Sequence, residues 1–427
     1  MLGVRGHCVT MLAVLVLFVI CLMCGATAQV FVDGAKAKYL VLHVKTLGFA
    51  NRMRVIADMN LVSSLTNRQL LVSWQPTREC NISIVDLFEE LPSSVKVLPF
   101  ILPDGTQGRD LVEQLAAESR LSFHDLQHEG FVMEREMVAD PRIAVIYSDY
   151  NGVVSLRGTP CELYTYARSQ FYSQMLPVKE IRDTVSEVSG TYFSKHVMVG
   201  VHFREFDAGY DWNVVPPVGS DHAGRFGDGA SFETFENIMG VLHNHFHNKS
   251  VQLQRRGLYG GGPTQPLRNN IRFYVASNSE SVKERFLRVF PDAVTLSSSG
   301  TGGRGAPDGM KLAVVEWLLL ARCALIINTY GSSFAAEASQ VNMRPIVGIW
   351  GGYSVLYNDV QLPFCGNLQF VRNYGDQGND VQYSENTVDN RVIAAKQIQL
   401  RYCDRLEHWG LRDVYSVQSD DVVATPL

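Results

Sequence analysis

Short runs of valine and isoleucine alternate with helix-length amphipathic segments along most of this chain, and few architectures accept that pattern. Strands that are apolar on both faces belong in a parallel sheet covered by helices on both sides. "YLVLHV" (Tyr39 to Val44) predicts a strand, and an apolar-periodic helix through Val55, Met59, Val62 and Leu65 follows it. "RQLLVSW" (Arg68 to Trp74) closes a first βαβ unit, and "RIAVIYS" (Arg142 to Ser148) reads as a further strand. The segment from 76 to 140 between them is mixed. The second half repeats the alternation with strands at "HVMVGVHF" (His196 to Phe203), "IRFYVAS" (Ile271 to Ser277), "ALIINTY" (Ala324 to Tyr330) and "RPIVGIW" (Arg344 to Trp350). Helices are expected at "VKEIRDTVSEVS", near Ser231 to His247, at "ESVKERFLRVF", at "GMKLAVVEWLLLAR", from Ser332 onward, and over about Asn390 to Gly410. At 427 residues there is material for two cores. The boundary is expected near Pro177 to Gly190, giving domains of 38–180 and 190–427. Two glycine-rich stretches, Gly257 to Pro266 and Ser297 to Pro307, read as surface loops with the character of a lid.

Residues 1–28 stand outside the fold. Arg5 and His7 precede an uncharged run from Cys8 to Val32, and "ATA" ends at Ala28. The pattern is that of a signal peptide cut after Ala28 or of a retained type II membrane anchor. Cleavage is preferred because sequence with folded character begins near Lys38. Either way the remainder enters the secretory lumen, in the Golgi or endoplasmic reticulum. Two sequons, at Asn81 and Asn248, suit that compartment as glycan acceptors. Five cysteines follow the leader, Cys80, Cys161, Cys323, Cys365 and Cys403, so at least one thiol is free unless chains are bridged. Cys323, inside "LLLARCALII", reads as a buried free thiol. A net charge of −5 and a pI near 6.1 argue against a nucleic-acid binder, which would show a basic patch or stripe.

Ligands of open parallel sheets sit outside the carboxyl ends of the strands, and three motifs fall there. In "HFREFD", Arg204 lies just past a strand, where its guanidinium can fork onto phosphate oxygens. His202 alternates with Arg204 and so shares its face, while Asp207 can hold the arginine or cap the next segment. Read alone, the same residues also suit a satisfied core histidine beside a surface ion pair. In "NTYGSSFAAEAS", Ser332 and Ser333 open a helix whose free N–H groups suit a phosphate, or else serve as ordinary serine caps. In "KTLGFANRMR", Gly48 permits close backbone approach, Asn51 is a candidate helix cap, Arg52 adds positive charge, and Arg54 reads as a helix-surface arginine. No D-x-D, Walker A or G-x-S-x-G occurs, so a metal-bridged diphosphate, a P-loop and an α/β-hydrolase all lack support.

Taken in order, the glycine-x-x-asparagine-arginine opening, H-x-R-x-x-D and the serine-serine-phenylalanine turn resemble the fucosyltransferase superfamily. That superfamily comprises the α-1,2- and α-1,6-fucosyltransferases, protein O-fucosyltransferases and nodulation fucosyltransferases. The likeness spans roughly Tyr39 to Trp350. It implies a GT-B fold, with two Rossmann-like domains facing across a cleft, and an inverting, metal-independent transfer from GDP-fucose to a glycan or glycoprotein, with no cofactor. Carried over by motif, Arg204 would hold the β-phosphate and assist leaving-group departure. His202 would touch the guanine or ribose. Ser332, Ser333 and Phe334 would line the diphosphate, and Gly48, Asn51 and Arg52 would face the acceptor side. Asn278 stands where members often carry an aspartate that reads guanine. That departure keeps a transferase of another nucleotide sugar in view, and a non-catalytic sugar-binding protein on the same scaffold is the second alternative.

Overall fold

A computed structural model of the chain describes residues 39–44, 48–98, 122–123, 131–133, 145–148, 154–156, 159, 161–204, 232, 235–244, 271–297, 305–329, 332–350 and 353–357. The leader, Asn248, Asp207, the expected helix over Asn390 to Gly410, the first glycine-rich stretch and most of the second lie outside the described residues. Among the described residues no helix is long and apolar enough to cross a membrane.

The chain divides into two compact units that interleave along the sequence. One takes residues up to Lys45, Asp58–Gln75 and Ser93–Arg157; the other takes Thr46–Ala57, Pro76–Pro92 and Gly158 onward.

The first unit is built on a five-stranded parallel sheet. Strands β1 (Tyr39–Val44) and β2 (Gln69–Trp74) pair in parallel and are joined by helix α1 (Phe49–Leu65). Strand β3 (Phe88–Glu90) belongs to the second unit, while β4 (Val95–Leu98), β5 (Ser122–Phe123) and β7 (Val145–Ser148) complete the first sheet in the order β4-β2-β1-β7-β5. A separate parallel ribbon joins β6 (Phe131–Met133) to β8 (Val154–Leu156). Every residue of β1 is buried, which is the physical sense of an uninterrupted apolar strand.

The longest stretch of the second unit begins with helix α2 (Cys161–Ser173), strand β9 (Leu176–Pro177, paired antiparallel to β3) and helix α3 (Lys179–Val188). Six strands then form one sheet: β10 (Val197–Phe203), β11 (Ile271–Ser277), β12 (Val294–Thr295), β13 (Leu325–Thr329), β14 (Ile346–Trp350) and β15 (Tyr353–Tyr357). Their order, β12-β11-β10-β13-β14-β15, is the 3-2-1-4-5-6 order of a doubly wound Rossmann-like sheet, with only the β14–β15 pair antiparallel. Helix α4 (Glu280–Val289) follows β11, α5 (Pro307–Ala321) precedes β13, and α6 (Ser333–Val341) links β13 to β14.

The two faces of β10 show why its sequence alternates as it does. Val199 and Val201 point into a core with Phe235, Phe273, Phe286 and Ile327. On the other face Gly200 leaves room for α5: a Cβ there would lie 2.9 Å from Leu320 Cδ2 and 3.2 Å from Cys323 Sγ. Cys323 is buried and free, as expected from the sequence, and so is Cys80.

Candidate functional site at the switch point of the second sheet

Strands β10 and β13 leave the second sheet in opposite directions of winding, so the crevice of a doubly wound sheet opens at their carboxyl ends. Parallel register sets His202 directly opposite Asn328. The imidazole Nδ1 and Asn328 Oδ1 are 2.9 Å apart, and the ring stacks on Phe334 at 5.2 Å between centroids. At 2% exposure His202 is a buried, satisfied histidine, and its visible work is to hold Asn328 and Phe334. Two residues beyond His202, the strand end is tied across the same gap. The Arg204 backbone N–H donates to Thr329 Oγ1 at 3.0 Å, and the residue is half-buried just past the strand. On the other flank, Ser277 Oγ donates to the Phe203 carbonyl at 2.8 Å, which places half-buried Asn278 beside the end of β10.

Helix α6 starts next to this cluster. Ser332 occupies the N-cap position with extended backbone, and its side chain makes no capping bond. Its carbonyl instead accepts from Asn328 Nδ2 at 3.3 Å. The ordinary capping role considered for the two serines is thus not realised by Ser332. The first-turn N–H groups of α6, at Ser333 and Phe334, form the positive end of a helix that begins just after β13, a feature suited to an anion.

The "KTLGFANRMR" motif is corrected in two places. Helix α1 already begins at Phe49, so Asn51 is a half-buried residue inside its first turn rather than its cap. Arg54 is not on the helix surface. It is 5% exposed, and its Nε donates to Glu337 Oε1 at 2.5 Å. Helical spacing turns position 54 toward the interior of the second unit, where charge is admitted only because a carboxylate meets it. Arg52, 1% exposed, donates to Thr77 Oγ1 at 2.7 Å. Burial lowers its pKa, while Cys80 and Glu79 nearby act in the opposite sense. A Cβ placed on Gly48 would meet nothing within 4 Å among the described residues.

Sequence reasoning singled out neither Asn328 nor Thr329 nor Glu337 as functional. The first two act through strand register, which no single strand reveals. Glu337 carried a legible signal, since it is the one charged residue of "SFAAEASQV", a helix otherwise of small and apolar or uncharged residues. No group of residues that could hold a metal ion is found among the described residues.

No family model and no curated protein sequence matches the chain. Solved structures similar to it include fucosyltransferase NodZ from Bradyrhizobium, at 16% identity and a TM-score of 0.43 over 76% of this chain and 100% of that one. Another is a variant of Arabidopsis thaliana FUT1 in complex with GDP, at 14% identity and 0.43 over 76% and 75%. A third is POFUT1 in complex with GDP, at 11% identity and 0.37 over 73% and 98%. Superpositions this loose decide nothing about chemistry; the strand order and side chains of this chain have to.

Proposed function

We propose that the chain is a glycosyltransferase that takes its sugar from a nucleoside diphosphate donor, GDP-fucose foremost, and passes it to a glycan or glycoprotein hydroxyl in the secretory pathway. What carries this reading is the place of Arg204 at the end of β10, its backbone N–H tied to Thr329 at the end of β13, at the switch point of a doubly wound sheet whose next helix, α6, begins just after β13. Three ordered motifs resembling the fucosyltransferase superfamily support it from the sequence side. As the sugar–phosphate bond breaks, negative charge grows on the departing diphosphate. A fixed guanidinium and helix N–H groups aimed at that charge do the work of a metal ion without one. The acceptor oxygen attacks from the opposite face, inverting the anomeric centre, and its hydroxyl loses its proton in the same step. None of the described side chains is assigned as the base. Asp207, three residues on in the sequence, is the proposed residue to orient the guanidinium. A lumenal location accords with Asn81, an exposed sequon asparagine whose Nδ2 donates to the Gly305 carbonyl at 3.0 Å while keeping its second hydrogen for a glycan.

A second nucleotide sugar remains in play because an amide, Asn278, stands at the end of β11. Turnover of a panel of GDP- and UDP-sugars, with excess EDTA present, tests the reading. Transfer from GDP-fucose that survives chelation is the expected result. Donor binding without turnover points to the non-catalytic alternative. Arg204→Lys keeps the charge but loses the fork, so turnover should fall by about 10²–10³-fold with donor binding far less affected. A folded Arg204→Lys protein with wild-type turnover refutes the site.

A further inference from the structure

The second unit contains a buried ionic cluster that the proposed chemistry does not use directly. Glu337 is fully buried in the middle of α6. Its carboxylate accepts from three donors on two helices: Arg54 Nε of α1 at 2.5 Å, Arg168 Nη1 of α2 at 3.3 Å, and Tyr172 Oη of α2 at 2.8 Å. Burial alone would raise its pKa, but Arg168, Arg54 and the Tyr172 hydroxyl outweigh burial and hold the carboxyl below its ordinary range.

The same helices are locked by apolar contacts around the cluster. The Tyr172 ring meets Trp317 of α5 edge-on at 5.3 Å, and Trp317 meets Phe49 of α1 at 5.5 Å. Ser169 Oγ donates to the Val341 carbonyl at the far end of α6. A single carboxylate therefore ties α6 to both α1 and α2. Ions in a low-dielectric interior tolerate little displacement, because each would be left unpaired. Glu337 lies four residues, or about 6 Å along the axis, from Ser333, so what fixes Glu337 fixes the first turn.

We propose that Glu337 is a positioning residue for nucleotide binding: by gathering Arg54, Arg168 and Tyr172 on one carboxylate it sets the angle at which Ser332, Ser333 and Phe334 receive a nucleoside diphosphate. This inference rests on the function proposed above. It joins two of the three sequence motifs, "KTLGFANRMR" and "NTYGSSFAAEAS", through Arg54 and Glu337. It also explains a buried acid in an alanine-rich helix where alanine would pack without charge.

The test measures GDP binding by calorimetry at a temperature where melts show each protein folded, together with donor KM and kcat. Glu337→Gln keeps the shape and loses the charge; Tyr172→Phe removes one hydrogen bond; Asp183→Asn, in an exposed ion pair with Lys179, is the control. Misplacement of a binding group by an ångström is enough to cost on the order of 10²-fold in the extreme. We expect Glu337→Gln to raise the GDP Kd and donor KM by about tenfold or more, and Tyr172→Phe by about threefold, with kcat changed less and the control silent. A purely structural role would lower the melting temperature and leave the affinity of the folded protein unchanged; that outcome overturns the proposal. Should Glu337→Gln not fold, Tyr172→Phe alone decides between these outcomes. Wild-type protein that binds neither GDP nor UDP and transfers no sugar refutes the proposed function itself, and the positioning role falls with it. Wild-type binding with unaltered variants refutes the positioning role alone.

Discussion

Arg54→Met is the sharpest test of how the second unit is held together. Methionine matches the arginine stem in length and apolar character but removes the guanidinium. The wild-type pair is short and dry: Nε to Oε1 is 2.5 Å, with Glu337 fully buried and Arg54 nearly so. Removing one partner of a buried pair costs about 3–5 kcal/mol, because the other charge stays behind uncompensated. Here compensation is partial, since Arg168 and Tyr172 still donate to the carboxylate. The loss should therefore fall at the low end, about 3 kcal/mol. For a folding unit of this size each kcal/mol moves the melting temperature by about 2–4 °C, so a drop of about 6–12 °C is expected. Calorimetric melts and urea midpoints of wild type and variant measure it. Lys179→Ala, which breaks the exposed pair with Asp183, should produce no resolvable shift. An Arg54→Met protein melting within about 2 °C of wild type would show that Arg54 is a surface arginine and that the cluster on Glu337 does not hold α1, α2 and α6 together.

Gly200→Ala should destabilise by about 1–2 kcal/mol, since overpacking outweighs the gain from a stiffer unfolded chain. The new methyl would meet Leu320 Cδ2 at 2.9 Å and Cys323 Cβ at 3.3 Å. Adding Cys323→Ala, which removes the Sγ contact at 3.2 Å but leaves Leu320 Cδ2 in place, should restore only part of the loss in urea unfolding, and a fully stable single variant would refute the close approach of β10 and α5. Acid unfolding reads the sign of the Glu337 interaction. Because its folded pKa lies below the ordinary 4.5, its contribution is complete above that pH and is lost as pH falls through the folded value. The wild type should lose stability below about pH 4.5 more steeply than Glu337→Gln, and equal acid slopes would show that the carboxylate is not held in its charged form.

The α/β class, most strand positions and the anion-seeking character of two strand ends were determined by the sequence alone. Those features are local: a run such as "IRFYVAS" can be buried on both faces only as an inner strand, and it forms β11 over the same residues. The serines of "GSSF" open a helix, and α6 begins at Ser333 with Ser332 at its N-cap. Strand order could not be read, because neighbours in a parallel sheet are far apart in sequence, and order alone makes β10 and β13 the switch point. Register then decides that His202 faces Asn328 and spends its imidazole there. The fate of Arg54 was hidden for the same reason. Helical periodicity gives the direction of a side chain relative to its own helix, but what waits in that direction is set by packing. The waiting group is Glu337, 283 residues away. A charged side chain reads as surface when its partner is unknown, and only tertiary structure supplies a partner strong enough to offset the cost of taking the charge out of water.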